Sequence, residues 1–112
     1  MGLIYTEAVV QSLDKSGETV ETKFRVDTNA IDCLIPTSRL IRAGVWPEGT
    51  DIYKLADGRA IELSFGWARI QFKDSVAIAK VIFGPEGAES ILGSVALESA
   101  GLVKVAVAAG PT

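Results

Sequence analysis

Short β-prone runs, each closed by turn residues before a helical period can develop, restrict this chain to folds dominated by antiparallel sheet. Leu3 to Leu13 and Thr19 to Val26 are rich in Val, Thr, Ile and Tyr, and Asp14-Lys15-Ser16-Gly17-Glu18 between them predicts a hairpin. The second run alternates: Val20, Thr22, Phe24 and Val26 share one face, Glu21, Lys23 and Arg25 the other. Ile52 to Leu55 and Arg59 to Phe65 flank Ala56-Asp57-Gly58, and Asp-Gly between two such runs is strong hairpin chemistry. A third hairpin is predicted from Trp67 to Phe72 and Val76 to Phe83 around Lys73-Asp74-Ser75. Ile31 to Ile35 and Leu102 to Val107 complete the predicted strands, with residues 108–112 expected to fray.

Helical signals are few and short. Pro36-Thr37-Ser38 opens Arg39 to Ala43, which Gly44 closes; Ser94 to Ala100 is closed by Gly101, and Ser is expected to cap both. A strand, a tight loop and a Gly-terminated helix thus occur around Asp27 to Gly44 and again around Val81 to Gly101, an internal echo with little residue identity. Gly84-Pro85-Glu86-Gly87 lacks the Lys and Ser/Thr of a phosphate loop and reads as a turn.

At 112 residues the chain is one domain, residues 1–112, since domains most often run about 100–150 residues. A net charge of −3 provides no basic surface for phosphates, so nucleic acid is not an expected partner. The absence of histidine removes Ser–His and Cys–His couples and His-based zinc sites, leaving carboxylates, hydroxyls, amines and one thiol; no metal and no cofactor is expected. That thiol, Cys33, lies among Ile31, Leu34 and Ile35 and reads as a buried small hydrophobe. Met1-Gly2-Leu3-Ile4-Tyr5-Thr6 has no basic start or apolar core of a signal peptide. Its minimal myristoylation pattern reads better as the start of a strand. With a lone cysteine and no run long enough to span a membrane, the expected location is cytoplasmic. Trp46 and Trp67 are expected in core or interface, Asp57 in turn chemistry, and Glu86, Glu89 and Glu98 on a solvated face.

The tetrapeptide Asp27-Thr28-Asn29-Ala30 stands between a strand and an apolar run, where Asp-Thr-Asn alone is ordinary turn chemistry. Its surroundings give it more weight. Phe24-Arg25-Val26 leads into it, Val81-Ile82-Phe83-Gly84-Pro85 precedes Ile91-Leu92-Gly93, a short helix follows, and Leu55-Ala56-Asp57-Gly58-Arg59 forms a hairpin tip. In order, spacing and total length this arrangement resembles the retroviral-type aspartic proteases, and especially their small bacterial relatives, over nearly the whole chain.

The resemblance implies an all-β, retropepsin-like closed barrel of the acid-protease fold with one or two short helices, working as a homodimer on an extended peptide or protein substrate. It implies Asp27 as the catalytic carboxylate, one from each chain. Thr28, Asn29 and Ala30 would support the active loop, Thr28 by bonding across the dimer axis and Ala30 by leaving room for substrate. Ile91, Leu92 and Gly93 would pack behind it. Tyr53 to Leu63 would form a flap, with Tyr53, Lys54, Leu55, Ala56, Asp57, Gly58 and Arg59 over the bound peptide, and Leu102 to Val107 would pair between protomers.

The chain departs from the family in three places. Asn29 replaces the motif glycine, and asparagine is among the residues that best tolerate a left-handed backbone. Ile31 and Ser94 replace an Asp and an Arg that pair in retroviral members, so both charges are missing together. The flap tip also has fewer glycines. Three readings remain open on the sequence: an active endopeptidase, a retropepsin-like dimer impaired by Asn29 that binds peptides, and a monomeric β-barrel interaction module in which the Asp27 turn is accidental.

Overall fold

The computed structural model describes residues 3–55 and 57–102. Within them the chain forms β1 (Tyr5–Gln11), β2 (Val20–Val26), β3 (Cys33–Pro36), α1 (Thr37–Arg42), β4 (Gly49–Lys54), β5 (Ala60–Gln71), β6 (Val76–Gly84), β7 (Ser90–Leu92) and α2 (Ser94–Ser99). The expected last strand lies outside the described residues from position 103 onward, as does the fraying of 108–112.

Six strands close on themselves. The sheet runs β1-β2-β7-β3-β6-β5-β4, and Val9 to Gln11 of β1 also pair with Arg69 to Gln71 of β5, which makes the first six a barrel. Closure removes the exposed edges an open sheet would carry. β4 stays outside the ring, paired from Gly49↔Phe65 to Lys54↔Ala60 with the first half of β5. β5 is one strand of 12 residues where the sequence reads as two runs. Gly66 looks like a break but remains extended; a Cβ there would lie 2.7 Å from the Trp46 carbonyl oxygen, so its bare backbone is what lets a neighbouring segment cross close.

The expected echo is present as architecture. β2, a loop, β3 and α1 form one half; β6, a loop, β7 and α2 form the other. β2 pairs parallel with β7 and β3 pairs parallel with β6, so the first strand of each half lies beside the second strand of its counterpart. Both helices have six residues and end alike. Gly44 (φ 84°) and Gly101 (φ 78°) take the left-handed position. Gly44 N–H donates to the Ile41 carbonyl and Val45 N–H to that of Leu40; Gly101 and Leu102 do the same to Glu98 and Leu97, at 2.9–3.0 Å throughout. This two-bond closure is the Schellman arrangement. The expected serine caps are not found: Ser38 and Ser94 lie inside the helices, the cap positions belong to Pro36 and Gly93, and neither makes a side-chain cap bond.

The core fills the barrel and the space beneath the helices. Val10, Val20, Phe24, Ile35, Leu40, Ile70, Val81 and Leu92 are fully buried, and each such side chain contributes about 1.5–3 kcal/mol relative to exposure. β2 follows its alternation, with Val20, Thr22 and Phe24 inward and Glu21 and Lys23 outward. Cys33 is enclosed in the core, and desolvation pushes its thiol up to about 11, which leaves it unreactive in the folded state. The tryptophans depart from the core expectation: Trp46 is 63% exposed and Trp67 44%.

Candidate active site

Asp27 follows the last residue of β2, and its backbone continues that strand's pairing by donating its N–H to the Leu92 carbonyl at 3.1 Å. The turn then closes on itself. Asn29 N–H donates to Asp27 Oδ1 at 3.0 Å and Ala30 N–H to the Asp27 carbonyl at 3.1 Å, an Asx-type turn that holds the carboxylate in place. Asn29 does not occupy the left-handed region; Lys15 is the non-glycine residue with positive φ among the described residues. The residue's tolerance for that conformation is therefore not called upon, and the turn forms with a side chain at this position.

The other half holds this loop from behind. Ser94 N–H donates to the Ala30 carbonyl at 2.7 Å and Val95 N–H to that of Ile31 at 3.3 Å. The first-turn amides of α2 thus bond loop carbonyls at the positions where retroviral members carry a charged pair. Gly93 makes the approach possible: a Cβ there would sit 2.5 Å from the Asp32 carbonyl oxygen and 2.6 Å from that of Ile31. Leu92 and Gly93 are buried and Ile91 is half-buried. Thr28 and Asn29 are exposed, and Asp27 and Ala30 half-buried.

Exposed apolar residues lie beside the ends of the turn. Ile4, whose carbonyl accepts from the Val26 N–H at 2.8 Å, is 67% exposed; Ile31 is 68% exposed and Val95, whose N–H donates to the Ile31 carbonyl, 45%. Leu3, next to Ile4 in sequence, is 65% exposed.

Two charged groupings at this site were not singled out from the sequence. Arg25 places Nη1 3.7 Å from Asp27 Oδ2 and Nε 2.7 Å from Glu89 Oε1, and Tyr5 donates its hydroxyl to Glu89 at 2.8 Å. The Tyr5 hydroxyl first, then Arg25, hold the Glu89 carboxyl below its ordinary range. The alternation of β2 carries the signal for Arg25, because positions 25 and 27 share a face. In the second grouping Lys80 of β6 bonds the Asp51 carboxylate of β4, stands 4.0 Å from Asp32 Oδ2 and lies 4.4 Å from the Phe65 ring centroid. Nothing local in the sequence announces it, because β4, β6 and the loop after Asp27 meet only in the closed fold.

The hairpin of β4 and β5 meets the loop after β2 at its root through Lys80. At its tip Leu55 N–H donates to the Arg59 carbonyl at 2.7 Å, Gly58 takes a φ of 92°, and Asp57 accepts from both the backbone and the side chain of Arg59. Asp57 thus serves the turn, as expected. Lys54 is exposed, Tyr53 and Leu55 are half-buried, and Ala56 lies outside the described residues. Glu86 is less free than a solvated face implies, since Ser38 donates to it from both backbone and hydroxyl. Among the described residues no group of His, Cys, Asp and Glu has the arrangement to hold a metal ion, and no helix is long and apolar enough to cross a membrane.

No family model and no curated protein sequence matches the chain. Solved structures do. The chain is similar to the solution structure of simian foamy virus (mac) protease with a TM-score of 0.58 and 15% identity, covering 91% of this chain and 100% of that one. It is also similar, at a TM-score of 0.55 and 17% identity over 82% of its length, to the foamy viral protease-reverse transcriptase solved in complex with an RNA/DNA hybrid. It spans 11% of that longer protein. The architecture is thus a mostly-β, retropepsin-like closed barrel with two short helices.

Proposed function

We propose that this chain is one protomer of a homodimeric aspartic endopeptidase in which Asp27 of each of two copies forms the catalytic pair. The observation that carries the reading is a carboxylate fixed by its own turn, in a loop bonded to the first amides of α2, with Ile4, Ile31 and Val95 exposed beside the ends of that turn. Exposed apolar residues of this kind fit burial against a second copy, which would bring the two Asp27 side chains face to face. Two carboxylates about 3 Å apart cannot both ionise, so they share one proton. The ionised member draws a proton from water as it attacks the scissile carbonyl, and the protonated member hydrogen-bonds that carbonyl oxygen. The pair titrates as one unit. Thr28, exposed in the single chain, is free to bond across the axis, and Asn29 and Ala30 shape the floor. An extended peptide would lie beneath the hairpin Tyr53 to Leu63, held by backbone hydrogen bonds. The hairpin tip Leu55-Ala56-Asp57-Gly58-Arg59 also supports kinship with the small bacterial branch.

A second reading has its own observation. The exposed Asn29 amide stands in the turn where the family carries no side chain, which favours a dimer that binds peptides without cutting them. Cleavage of a diverse peptide mixture from acidic to neutral pH separates the two, run beside sedimentation of the protein. Cuts that vanish in Asp27→Ala are expected. Cuts from Asn29→Gly but not from the parent would establish the impaired dimer, and a monomer silent in all three would overturn both.

A further inference from the structure

We propose that Lys80 is a positioning residue that latches the β4–β5 hairpin to the loop carrying Asp27. The hairpin's place over the groove rests on the peptidase reading; the latch itself does not. Among the described residues β4 pairs with β5 alone, and backbone ties the hairpin to the barrel only at its root, where Phe65 pairs with both Gly49 and Ile82 of β6. The direct tie from β4 to the segment leaving the Asp27 turn is made by side chains. Asp51 lies on β4, Asp32 on the segment whose carbonyls α2 holds, and the Lys80 ammonium on barrel strand β6 stands between them, over the Phe65 ring of β5. One cation thus joins the hairpin, the barrel wall and the segment leaving the turn, beside the Cys33↔Val81 pair that sets β3 against β6.

The surroundings make the cation hard to replace. Asp32 and Lys80 side chains are only 19% and 25% exposed, and the buried Tyr53 hydroxyl beside them has no hydrogen-bond partner among the described residues. Burial raises the Asp32 carboxyl, with Lys80 opposing the rise and Asp51 adding to it. Taking Lys80 away therefore leaves two carboxylates facing each other at the hairpin root, and like charges push β4 from the loop. A conservative Arg retains the charge and offers a fork that reaches both.

Amide hydrogen exchange tests this with the whole chain, independent of cleavage. In Lys80→Met, amides of Gly49 to Lys54 and Ala60 to Phe65 should exchange about threefold faster, while those of Val20 to Val26 stay as in the parent. Asp51→Asn should give the same hairpin-only change without removing the cation, and Lys80→Arg should restore the parental pattern. The difference should fade from about 0.05 to about 1 M salt, because the groups are partly exposed. Hairpin exchange equal in parent and Lys80→Met, or faster exchange spread over β2 as well, would overturn the latch. If the parent cleaves peptides, KM should rise in Lys80→Met with kcat little changed. A parent that cuts nothing counts against the peptidase reading alone, and the exchange pattern still decides the latch.

Discussion

The loop after β2 and the loop after β6 occupy corresponding places in two halves of one build, yet they are held by different chemistry. The first, Asp27 to Asp32, is braced by backbone: amides of Ser94 and Val95 at the start of α2 bond the carbonyls of Ala30 and Ile31. The second, Pro85 to Glu89, is braced by side chains: Thr37 of α1 donates its hydroxyl to the Gly84 carbonyl at 2.8 Å, and Ser38 bonds Glu86 twice. Where Asp27 begins the first loop and donates its N–H to Leu92, the second begins with Pro85, which has no N–H to give. In the second loop the acidic side chain is bonded to the opposite half. In the first the brace from the opposite half is backbone, while the Asp27 carboxylate accepts from its own turn and lies 3.7 Å from Arg25.

That contrast predicts unequal sensitivity at matching positions. The largest effect is expected at the helix entries. Gly93→Ala forces a methyl against two backbone carbonyls and should lose about 1–3 kcal/mol or more, read from the midpoint of urea unfolding. Pro36→Ala, at the matching place, should lose about 1 kcal/mol or less. Equal losses would show that α2 is not held closer to its loop than α1 is. Next come the helix exits, where a side chain in the left-handed region costs about 1–2 kcal/mol. Gly44→Ala should exceed Gly101→Ala, because a Cβ at 44 meets the Gly17 amide nitrogen at 3.1 Å while none of the described residues lies within 4 Å of one at 101. The smallest effect is electrostatic. Ser38 hydrogen bonds depress the Glu86 carboxyl, so its contribution is fully present above the unfolded value of about 4.3 and is lost as pH falls through the folded value. The difference in thermal midpoint between parent and Glu86→Gln should therefore be present at neutral pH and vanish in strong acid.

Much of this was legible because it is local. The alternation from Val20 to Val26, the Asp57-Gly58 tip and the two terminal glycines each announce their own geometry, and the arrangement around the Asp27 tetrapeptide pointed to the closed barrel. The serine caps failed for a tertiary reason. Both helices leave directly from strands, and their first amides are satisfied by the opposite half, Ser94 and Val95 by loop carbonyls and Ser38 by Glu86, so no capping hydroxyl is needed. The runs Arg59 to Phe65 and Trp67 to Phe72 are one strand across Gly66, because a glycine between two runs fits a close crossing as readily as a break. Lys80, Asp51 and Asp32 were invisible as a group, since they are brought together only by barrel closure and hairpin return.

Cys33 sits in β3, which pairs with β6 of the opposite half, and its thiol is completely shielded. The protein therefore carries a built-in clock at the joint between its halves. A small thiol-directed reagent can react there only during moments when the core around it opens, and the lone thiol means that each event scores once and at a known address. The modification rate under native conditions thus reports those openings.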